Sequence, residues 1–441
     1  MNTEGNRFTW SELSEEQQRA MLQRPAVRDN SENLEQVRAI IQDVKRTGDV
    51  ALRKLTERLD GVRLTEFRVG DQETADAARA LTNAQKTAVK VAITNVSCFH
   101  VAGQSLPLRV ETAAGVVCEQ LVRPIPAVGL YVPAGTAPLP STAIMLAVPA
   151  RLAGCPVKVL CTPPRTDGRA DPAVVYAAQE CGITAIFKLG GAQAVAAMAY
   201  GSESVPKVDK IFGPGNTWVT AAKTEVAADP AGAALDMPAG PTELMVIADA
   251  AAAPRAVALD LLSQAEHGAD SQVVLVTDAP ELAEAVYDAV QAALPELSRR
   301  PIIEQALQNS LTILVDDVPQ AIEVANAYAA EHLIIQVHNP RQYIDSIKNA
   351  GSVFLGPWAP ESVGDYCSGT NHVLPTYGYA RAYSGLSMRD FQKHISVQEL
   401  TEAGLRGLAP TVAALAGLEG LDAHAAAVRV RLDPGSGGRG L

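Results

Sequence analysis

The chain has 441 residues, of which 47% are hydrophobic and 20% charged, and its formal net charge is −12. This length exceeds what one hydrophobic core usually supports, so two or more domains are expected. The acidic balance argues against a nucleic-acid-binding surface. No apolar stretch reaches the ~18–20 residues that span a bilayer, and the polar first ten residues do not resemble a signal peptide. We therefore expect a cytoplasmic protein with neither nucleic acid nor a membrane as partner.

The N-terminal part is predicted to be helical, because residues 11–96 are charged and periodic. Ser31 is expected to begin a capped helix that Gly48 ends. From about residue 124, short β-type runs alternate with Ala-rich helical runs. Strands are predicted at residues 128–132, 157–161, 185–189 and 210–212, each followed by a helix, at residues 141–152, 172–180, 192–200 and 217–227. Such alternation is typical of a parallel, doubly wound sheet.

The same alternation then starts again. Strands are predicted at residues 244–247, 272–277, 311–315, 333–337 and 352–355, with helices from about Pro254, Pro280, Ile302, Val318 and Pro340. The predicted fold class is therefore α/β, with two Rossmann-like doubly wound domains and small N- and C-terminal helical extensions. Beyond Tyr383 the Ala/Leu-rich chain is predicted to be helical to about Val430. Residues 435–440 match the dinucleotide fingerprint GxGxxG, but no helix can follow them, so we reject that match.

The cysteines show no CxxC pair and no zinc-knuckle spacing. We expect reduced structural thiols rather than disulfides or catalytic nucleophiles. The six residues are Cys98, Cys118, Cys155, Cys161, Cys181 and Cys367.

Gln264 and His267 stand three residues apart at the end of an apolar helical run, so their side chains share one helix face. An amide oxygen and an imidazole, joined by a distant Asp365 and His424, would make a metal site of nitrogen and oxygen ligands. Zinc, manganese and cobalt all suit such ligands. The local pair by itself is a weak signal.

Glu331 and His332 are predicted to close a helix and lead straight into a strand. A carboxylate beside an imidazole suits proton transfer near neutral pH, although an isolated pair of this kind is usually a helix-end ion pair. Asp365 and His372 are predicted to lie in a long loop without periodicity, and such loops are usually functional.

Gly/Pro-rich turns follow three predicted strands, at residues 131–136, 190–193 and 213–216. They favour a nucleotide site, because glycines allow close backbone approach and helix N–H groups attract phosphate. Tyr131, Gln193 and Asn216 would add polar contacts. The alternative is that these glycines only shape the turns. A further turn, at residues 238–243, separates the two α/β units, and Thr242 there could bind a ligand or cap the turn.

With these residues assembled, the chain closely resembles the histidinol dehydrogenase family from about Asn30 to Arg431. The motifs that carry the resemblance are GLYVPAGTAPLPST, KLGGAQAVAAMAYG, FGPGNTWV, DMPAGPTEL, LLSQAEHGADSQV, AAEHLII, ESVGDYCSGTNHVLPT and EGLDAHAAAVRVR. The resemblance implies a homodimer with one zinc ion per subunit. It also implies oxidation of L-histidinol to L-histidine through L-histidinal, with two NAD molecules consumed, as the final steps of histidine biosynthesis.

The resemblance further implies a role for each matching position. His332 would take the hydroxyl proton and Glu331 would activate water for the second oxidation, while zinc would orient the substrate. The implied zinc ligands are Gln264, His267, Asp365 and His424. The implied substrate contacts are Thr242, His372 and Glu419, together with His332 and the zinc ligands. The implied nucleotide contacts are Tyr131, Gln193 and Asn216.

We expect five segments in the chain. Residues 1–28 form an N-terminal helical arm. Residues 29–128 and 243–383 form a domain with the metal and catalytic residues, and residues 129–242 form a domain with the NAD-binding loops. Residues 384–432 form a helical segment that carries Glu419 and His424 to the partner subunit, and residues 433–441 form a disordered tail.

The chain departs from the family's pattern at two of these positions. Thr242 stands where the family usually has Ser, and Ala134 replaces a common Gly.

Three other functions stay open. A relative could oxidise another alcohol, such as a sulfonated diol, but would be expected to change His332, His372 or Glu419. A zinc hydrolase would leave the nucleotide turns without a purpose, and a non-catalytic metal-dependent structural protein would leave Glu331 and His332 idle.

Overall fold

Two compact units make up the chain in this computed structural model, which describes residues 6–24, 31–134, 137–238 and 240–433. The first unit comprises Met1–Gly103 and Ile125–Phe391, and the second comprises Gln104–Pro124 and Gln392–Leu441. The tail predicted at residues 433–441 lies outside the described residues except for Asp433, as do residues 1–5 and 25–28 of the predicted arm. In the described part, no helix combines the length and apolarity that crossing a membrane requires.

The secondary-structure elements alternate for most of the chain. The first are β1 (Arg7–Thr9), α1 (Glu15–Met21), α2 (Ser31–Thr47), α3 (Asp49–Leu59), α4 (Asp71–Ala80), α5 (Asn83–Ala102), β2 (Leu108–Ala113) and β3 (Val116–Pro124). Next are β4 (Ala127–Tyr131), α6 (Pro140–Leu152), β5 (Val157–Thr162), α7 (Pro172–Glu180), β6 (Ala185–Lys188), α8 (Gly191–Tyr200), β7 (Lys210–Phe212), α9 (Thr217–Ala228) and β8 (Ala234–Leu235).

The second half of the chain continues the alternation as far as α14. Its elements are β9 (Glu243–Ala248), α10 (Pro254–Ala265), β10 (Gln272–Thr277), α11 (Pro280–Ala293), α12 (Arg300–Gln308), β11 (Leu311–Leu314), α13 (Val318–Tyr328), β12 (His332–Gln336), β13 (Ser352–Leu355), α14 (Glu361–Tyr366), β14 (Gln392–Leu400), α15 (Glu402–Glu419) and α16 (Asp422–Leu432). Short 3₁₀ helices occupy Trp10–Glu12, Leu294–Glu296, Pro340–Ser346, Tyr379–Arg381 and Met388–Phe391. The helix expected from Pro340 is therefore a 3₁₀ helix.

Two parallel sheets in the first unit share one strand order. The five-stranded sheet runs β6-β5-β4-β7-β8, and the six-stranded sheet runs β1-β11-β10-β9-β12-β13. Within each α/β run the order is third, second, first, fourth, fifth, as in the first five strands of a Rossmann sheet, and β1 adds an edge strand to the second sheet. Helices cover both faces, so the central strands are largely buried and mostly apolar. The predicted α/β fold class is confirmed.

The N-terminal helices pack against the five-stranded sheet. Val37, Ile41 and Val44 of α2 share a core with the apolar face of α8, and Val96 of α5 shares one with α6. The predicted grouping of residues 29–128 with residues 243–383 does not match this packing. An amphipathic stripe shows that a helix has a buried face, but it does not identify the sheet against which that face packs.

The second unit contains an antiparallel sheet of order β14-β3-β2, followed by α15 and α16. The prediction that residues 384–432 are helical was wrong for β14, and β2 and β3 were not predicted. All six residues of β2 are exposed, and most residues of β14 are as well. A strand without a buried face lacks the alternation of apolar and polar residues by which a strand is found in a sequence.

Gly213 directly follows β7 and has a backbone conformation that glycine alone adopts easily, with φ at +124°. An added Cβ would collide with the carbonyl oxygen of Tyr131. We expect Gly213→Ala to lower the free energy of unfolding by at least ~1–3 kcal/mol, measured by urea denaturation. Gly61→Ala is the matched control, because Gly61 also has positive φ but no atom lies within 4 Å of its added Cβ. Equal losses in the two variants would show that the collision contributes nothing.

The six cysteines are all free thiols, as the sequence predicted. Burial raises the pKa of Cys181 to about 12, and it raises the pKa of Cys161 as well. Both thiols are therefore protonated at neutral pH, which suits a structural role.

Candidate functional site

The candidate catalytic pair lies at the amino end of β12. Helix α13 ends at Tyr328 and does not reach Glu331 and His332, which were predicted to close it; Ala329 turns the chain in a left-handed conformation. Glu331 then precedes the strand and His332 is its first residue, paired in register with Leu244 of β9. β9 and β12 are neighbouring strands at the point where the strand order reverses. The turn that precedes β9 therefore contacts Glu331 and His332 directly.

Glu331 is held by two hydrogen bonds from that turn. The Thr242 hydroxyl and the Glu243 backbone N–H both donate to Glu331 Oε2, at 2.5 and 2.9 Å. Burial raises the pKa of Glu331 to about 7, although His332 and these two hydrogen bonds oppose the rise. A carboxyl with this pKa can gain or lose a proton near neutral pH, as a general base must.

His332 is oriented by its Nδ1 atom, which donates to the carbonyl oxygen of Glu243 at 3.3 Å. Its Nε2 atom is buried and has no hydrogen-bond partner among the described residues. Burial lowers the pKa of His332, but the carboxylates of Glu331, Asp365 and Glu361 outweigh that effect and raise it to about 10. The Nε2 atom therefore points toward a region that is rich in negative charge.

Three of the four predicted metal ligands converge on that region. His267 Nε2 lies 3.9 Å from Asp365 Oδ2, and His332 Nε2 lies 3.6 Å from Asp365 Oδ1. Gln264 is fully buried; its amide nitrogen donates to the Thr242 hydroxyl, which leaves Oε1 without a partner among the described residues. The His267 imidazole and the Asp365 carboxylate, together with the buried amide oxygen of Gln264 on the same helix end as His267, are ligand types that fit a divalent cation. Asp365 is part of α14, so its predicted place in a loop was wrong.

Sequence reasoning missed Glu361, which stands one helical turn before Asp365 on α14. Its carboxylate is buried, and donor atoms of His267, Glu361 and Asp365 all lie within 4.8 Å of one another. The spacing of four residues between two acidic side chains on one helix was the signal available. It was hidden because that stretch was read as a loop.

His372, a predicted substrate contact, joins the same cluster. Its Nδ1 atom donates to the backbone oxygen of Asp365 at 2.8 Å, and its Nε2 atom lies 3.2 Å from the Thr142 hydroxyl of α6. Burial lowers the pKa of His372, so the ring is neutral and Nε2 accepts from Thr142. Thr142 follows β4, so this contact brings the carboxyl edge of the five-stranded sheet to the amino edge of the six-stranded one.

Two predicted site residues belong to the second unit. Glu419 ends α15 and His424 lies on α16, and both side chains are exposed. Their assignment to the metal and the substrate stays a prediction.

The predicted nucleotide residues lie at the carboxyl edge of the five-stranded sheet. Tyr131 ends β4, and its hydroxyl accepts from the backbone N–H of Gly191 at 3.0 Å. Gln193 is buried on α8, and its Oε1 atom has no partner among the described residues. Asn216 is exposed and caps α9, accepting from the N–H of Val219 at 3.1 Å. Residues 135, 136 and 239 of the predicted turns lie outside the described residues.

Asp60 adds a carboxylate to this edge that sequence reasoning did not identify. Gln193 Nε2 donates to Asp60 Oδ2 at 3.2 Å, and an added Cβ at Gly190 would fall 3.3 Å from Asp60 Oδ1. Burial raises the pKa of Asp60 to about 6. Glycine backbone, helix N-termini and the Gln193 amide thus lie at one edge of the sheet, and this combination fits a nucleotide.

Comparison with known proteins agrees with this geometry. The sequence profile described as histidinol dehydrogenase matches residues 22–432. The chain is 54% identical to the histidinol dehydrogenase of Photobacterium profundum over 424 residues, which covers 96% of this chain and 95% of that protein. It is 54% identical to that of Xanthomonas campestris pv. campestris over 427 residues, covering 97% and 99%.

A solved structure matches over the same extent. The crystal structure of histidinol dehydrogenase from Elizabethkingia anophelis superposes with a TM-score of 0.92 at 44% identity, covering 95% of this chain and 96% of that one.

Proposed function

The chain belongs to the histidinol dehydrogenase family and is an oxidoreductase of histidine biosynthesis, and we propose that it oxidises L-histidinol to L-histidine through L-histidinal. Two NAD molecules would be reduced in turn, with one zinc ion per subunit. The observation that carries this proposal is the pair Glu331 and His332, buried beside the converging donors of Gln264, His267 and Asp365. We propose that the protein performs this biosynthetic reaction in the cytoplasm.

The metal would be held by Gln264, His267 and Asp365, with His424 of the partner subunit as the remaining ligand. When bound, the ion would hold the substrate's nitrogen atoms and offset the carboxylates that surround His332. Without such an offset those carboxylates keep the imidazole protonated near neutral pH, and a protonated ring cannot act as a base.

In the first oxidation, His332 takes the proton of the substrate hydroxyl at Nε2 as hydride leaves the carbon. In the second, Glu331 takes a proton from the water that adds to the aldehyde, and the adduct loses a second hydride to give the carboxylic acid, which ionises to the carboxylate. NAD supplies the acceptor for each hydride. Thr242 and Glu243 keep the Glu331 carboxylate in place, and the buried setting limits escape of the aldehyde.

The pH dependence of the second oxidation follows from Glu331. Because only its ionised form can accept a proton, we expect kcat for L-histidinal oxidation to rise with pH and to level off above about 7. The check is a pH profile measured with L-histidinal as substrate. A rate that is flat between pH 5 and 8 would contradict the assignment, and so would the same rise in Glu331→Gln.

A homodimer is proposed from the surface of the second unit. Its exposed apolar side chains include Leu106, Leu108, Val110, Ile395, Leu400, Leu415, Leu418, Leu421 and Val430. So many exposed apolar side chains on one small unit suit a contact between subunits. A second copy would cover it and would bring Glu419 and His424 to the other chain's site.

We expect Leu418→Glu to convert the dimer to monomer and to lower activity in proportion to the loss of dimer. Leu418 is 84% exposed in the single chain, and a charge placed there would be buried in the dimer, which opposes association. Light scattering and turnover would be measured on the same samples. Val50→Glu, on α3 of the first unit and 52% exposed, is the matched control and should stay dimeric. A Leu418→Glu protein that is dimeric and fully active would exclude this surface from the interface.

The experiment that tests the function is NADH formation from L-histidinol by the purified protein, before and after chelation and zinc restoration. Formation that is lost with chelator and regained with zinc supports the proposal. If a folded, zinc-loaded dimer left histidinol unchanged but reduced NAD with another alcohol, such as a sulfonated diol, the substrate assignment would be wrong. The absence of NAD reduction with any alcohol would favour the hydrolase or the structural protein.

A further inference from the structure

Glu361 is a buried carboxylate that the proposed proton transfers do not use. It is 1% exposed at the start of α14. Ser263 donates to its Oε2 atom at 3.2 Å, while its Oε1 atom has no hydrogen-bond partner among the described residues. An ionised carboxylate that is buried and only partly hydrogen-bonded is unfavourable unless a positive charge offsets it.

The surroundings of Glu361 hold more negative charge than positive. Asp365 is the neighbouring carboxylate, and the nearest cationic candidate is His332, whose Nε2 atom lies 4.0 Å from Glu361 Oε1. Glu361 and Asp365 are thus two neighbouring buried carboxylates beside the imidazoles of His332 and His267, an arrangement that a bound divalent cation would stabilise.

The donor atoms around this point suit a metal ion. Atoms of His267, Glu361 and Asp365 lie within 4.8 Å of one another. Gln264 precedes His267 on the same helix end, and its Oε1 atom is likewise buried without a partner among the described residues. One chain therefore offers two buried oxygens without a hydrogen-bond partner in its described part, from Gln264 and Glu361. The imidazole of His267 and the carboxylate of Asp365 accompany them.

We propose that Glu361 is a metal-binding residue, so that one chain supplies four donors, from Gln264, His267, Glu361 and Asp365. The ion can then bind before the partner subunit's His424 arrives. The inference rests on the metal site of the proposed function and adds to it a residue and an order of assembly. His424 would complete a site that is already loaded.

The test compares zinc affinity in four full-length proteins by competition with a chromogenic chelator. They are the wild type, Glu361→Gln, His424→Ala and a matched control, Glu266→Gln. The control removes a carboxylate next to His267 that lies outside the donor group. We expect Glu361→Gln to weaken zinc binding by at least about 100-fold, more than the roughly 10–100-fold typical of residues that only orient a ligand. Glu266→Gln should change affinity by less than about 3-fold, and His424→Ala should still bind one zinc ion per chain.

Thermal unfolding separates metal binding from a structural role. If Glu361 binds the ion, the metal-free Glu361→Gln protein should melt at or above the wild-type temperature, since an unpaired buried charge is gone. Its increase in Tm on adding zinc should be smaller than that of the wild type. A lower Tm of the metal-free variant would assign Glu361 to structure and overturn the proposal.

Two affinity results would also overturn it. One is zinc affinity in Glu361→Gln within about 3-fold of the wild type. The other is complete loss of zinc in His424→Ala, which would show that one chain cannot hold the ion. Failure of the proposed function looks different, because a wild-type protein that binds zinc through Glu361 but does not oxidise histidinol leaves this inference intact.

Discussion

Glu331→Gln is expected to lower kcat for L-histidinal oxidation by about 10²–10⁴-fold, the usual contribution of a general base. The amide keeps the size of the carboxyl and can still accept from the N–H of Glu243, so the fold should be unchanged. It cannot take a proton from the attacking water. Oxidation of L-histidinol to the aldehyde should be affected far less, because His332 serves that step. Rapid-mixing measurements of NADH formation with each substrate separate the two effects.

His332→Gln provides the complementary comparison. It should slow alcohol oxidation as strongly as Glu331→Gln slows aldehyde oxidation, because the hydroxyl proton loses its acceptor. If both variants slowed both steps equally, the division of work between Glu331 and His332 would be wrong. Circular dichroism and zinc content of each variant serve as controls for folding and metal loading.

Arg24→Met is expected to lower the free energy of unfolding by about 3–5 kcal/mol, the effect of breaking a buried ion pair by removing one partner. Arg24 Nε and one terminal nitrogen donate to the two carboxylate oxygens of Glu243, each at 2.8 Å, and both side chains are more than nine-tenths buried. The guanidinium also lies 3.6 Å from the centre of the Tyr328 ring. Loss of Arg24 leaves Glu243 buried and unpaired.

Arg38→Met is the matched control for this prediction. Arg38 forms the same two-point contact with Glu225, but its side chain is 57% exposed, and exposed pairs contribute only about 0–1 kcal/mol. Urea denaturation of both variants gives the comparison. Adding Glu243→Gln to Arg24→Met should restore part of the stability, because the unpaired charge is then gone. Equal losses from Arg24→Met and Arg38→Met would contradict this interpretation.

The Arg24 contact also gives the N-terminal arm a role at the catalytic pair. The backbone of Glu243 donates to Glu331 and accepts from His332, and its side chain holds Arg24. We therefore expect Arg24→Met to reduce turnover in addition to stability. The sequence offered no sign of this link, because the two residues of the ion pair are 219 positions apart.

The parallel sheets could be predicted from sequence because each buried strand is a short apolar run followed by a helical one. Strand ends were placed within a residue or two at β4, β5, β10 and β13. The common strand order of the two sheets could not be predicted, since pairing depends on packing rather than on local pattern. For the same reason the packing of α2 on α8 was not foreseen.

The sequence predicted the site residues that belong to recognisable motifs. It missed the residues that reach the site only through packing. Gln264, His267, Glu331, His332, Asp365 and His372 do converge. Thr142 and Asp60 were overlooked because each becomes notable only through a contact with a residue distant in sequence, whereas Glu361 was overlooked because its helix was read as a loop.

The most direct test of the central claim, that this one site performs both oxidations, is the number of NADH molecules formed per L-histidinol at completion. Limiting histidinol would be added to zinc-loaded protein with excess NAD, and the product would be identified by mass spectrometry. We predict two NADH per histidinol, L-histidine as the product and no accumulation of aldehyde. One NADH per histidinol, with L-histidinal released, would contradict the account.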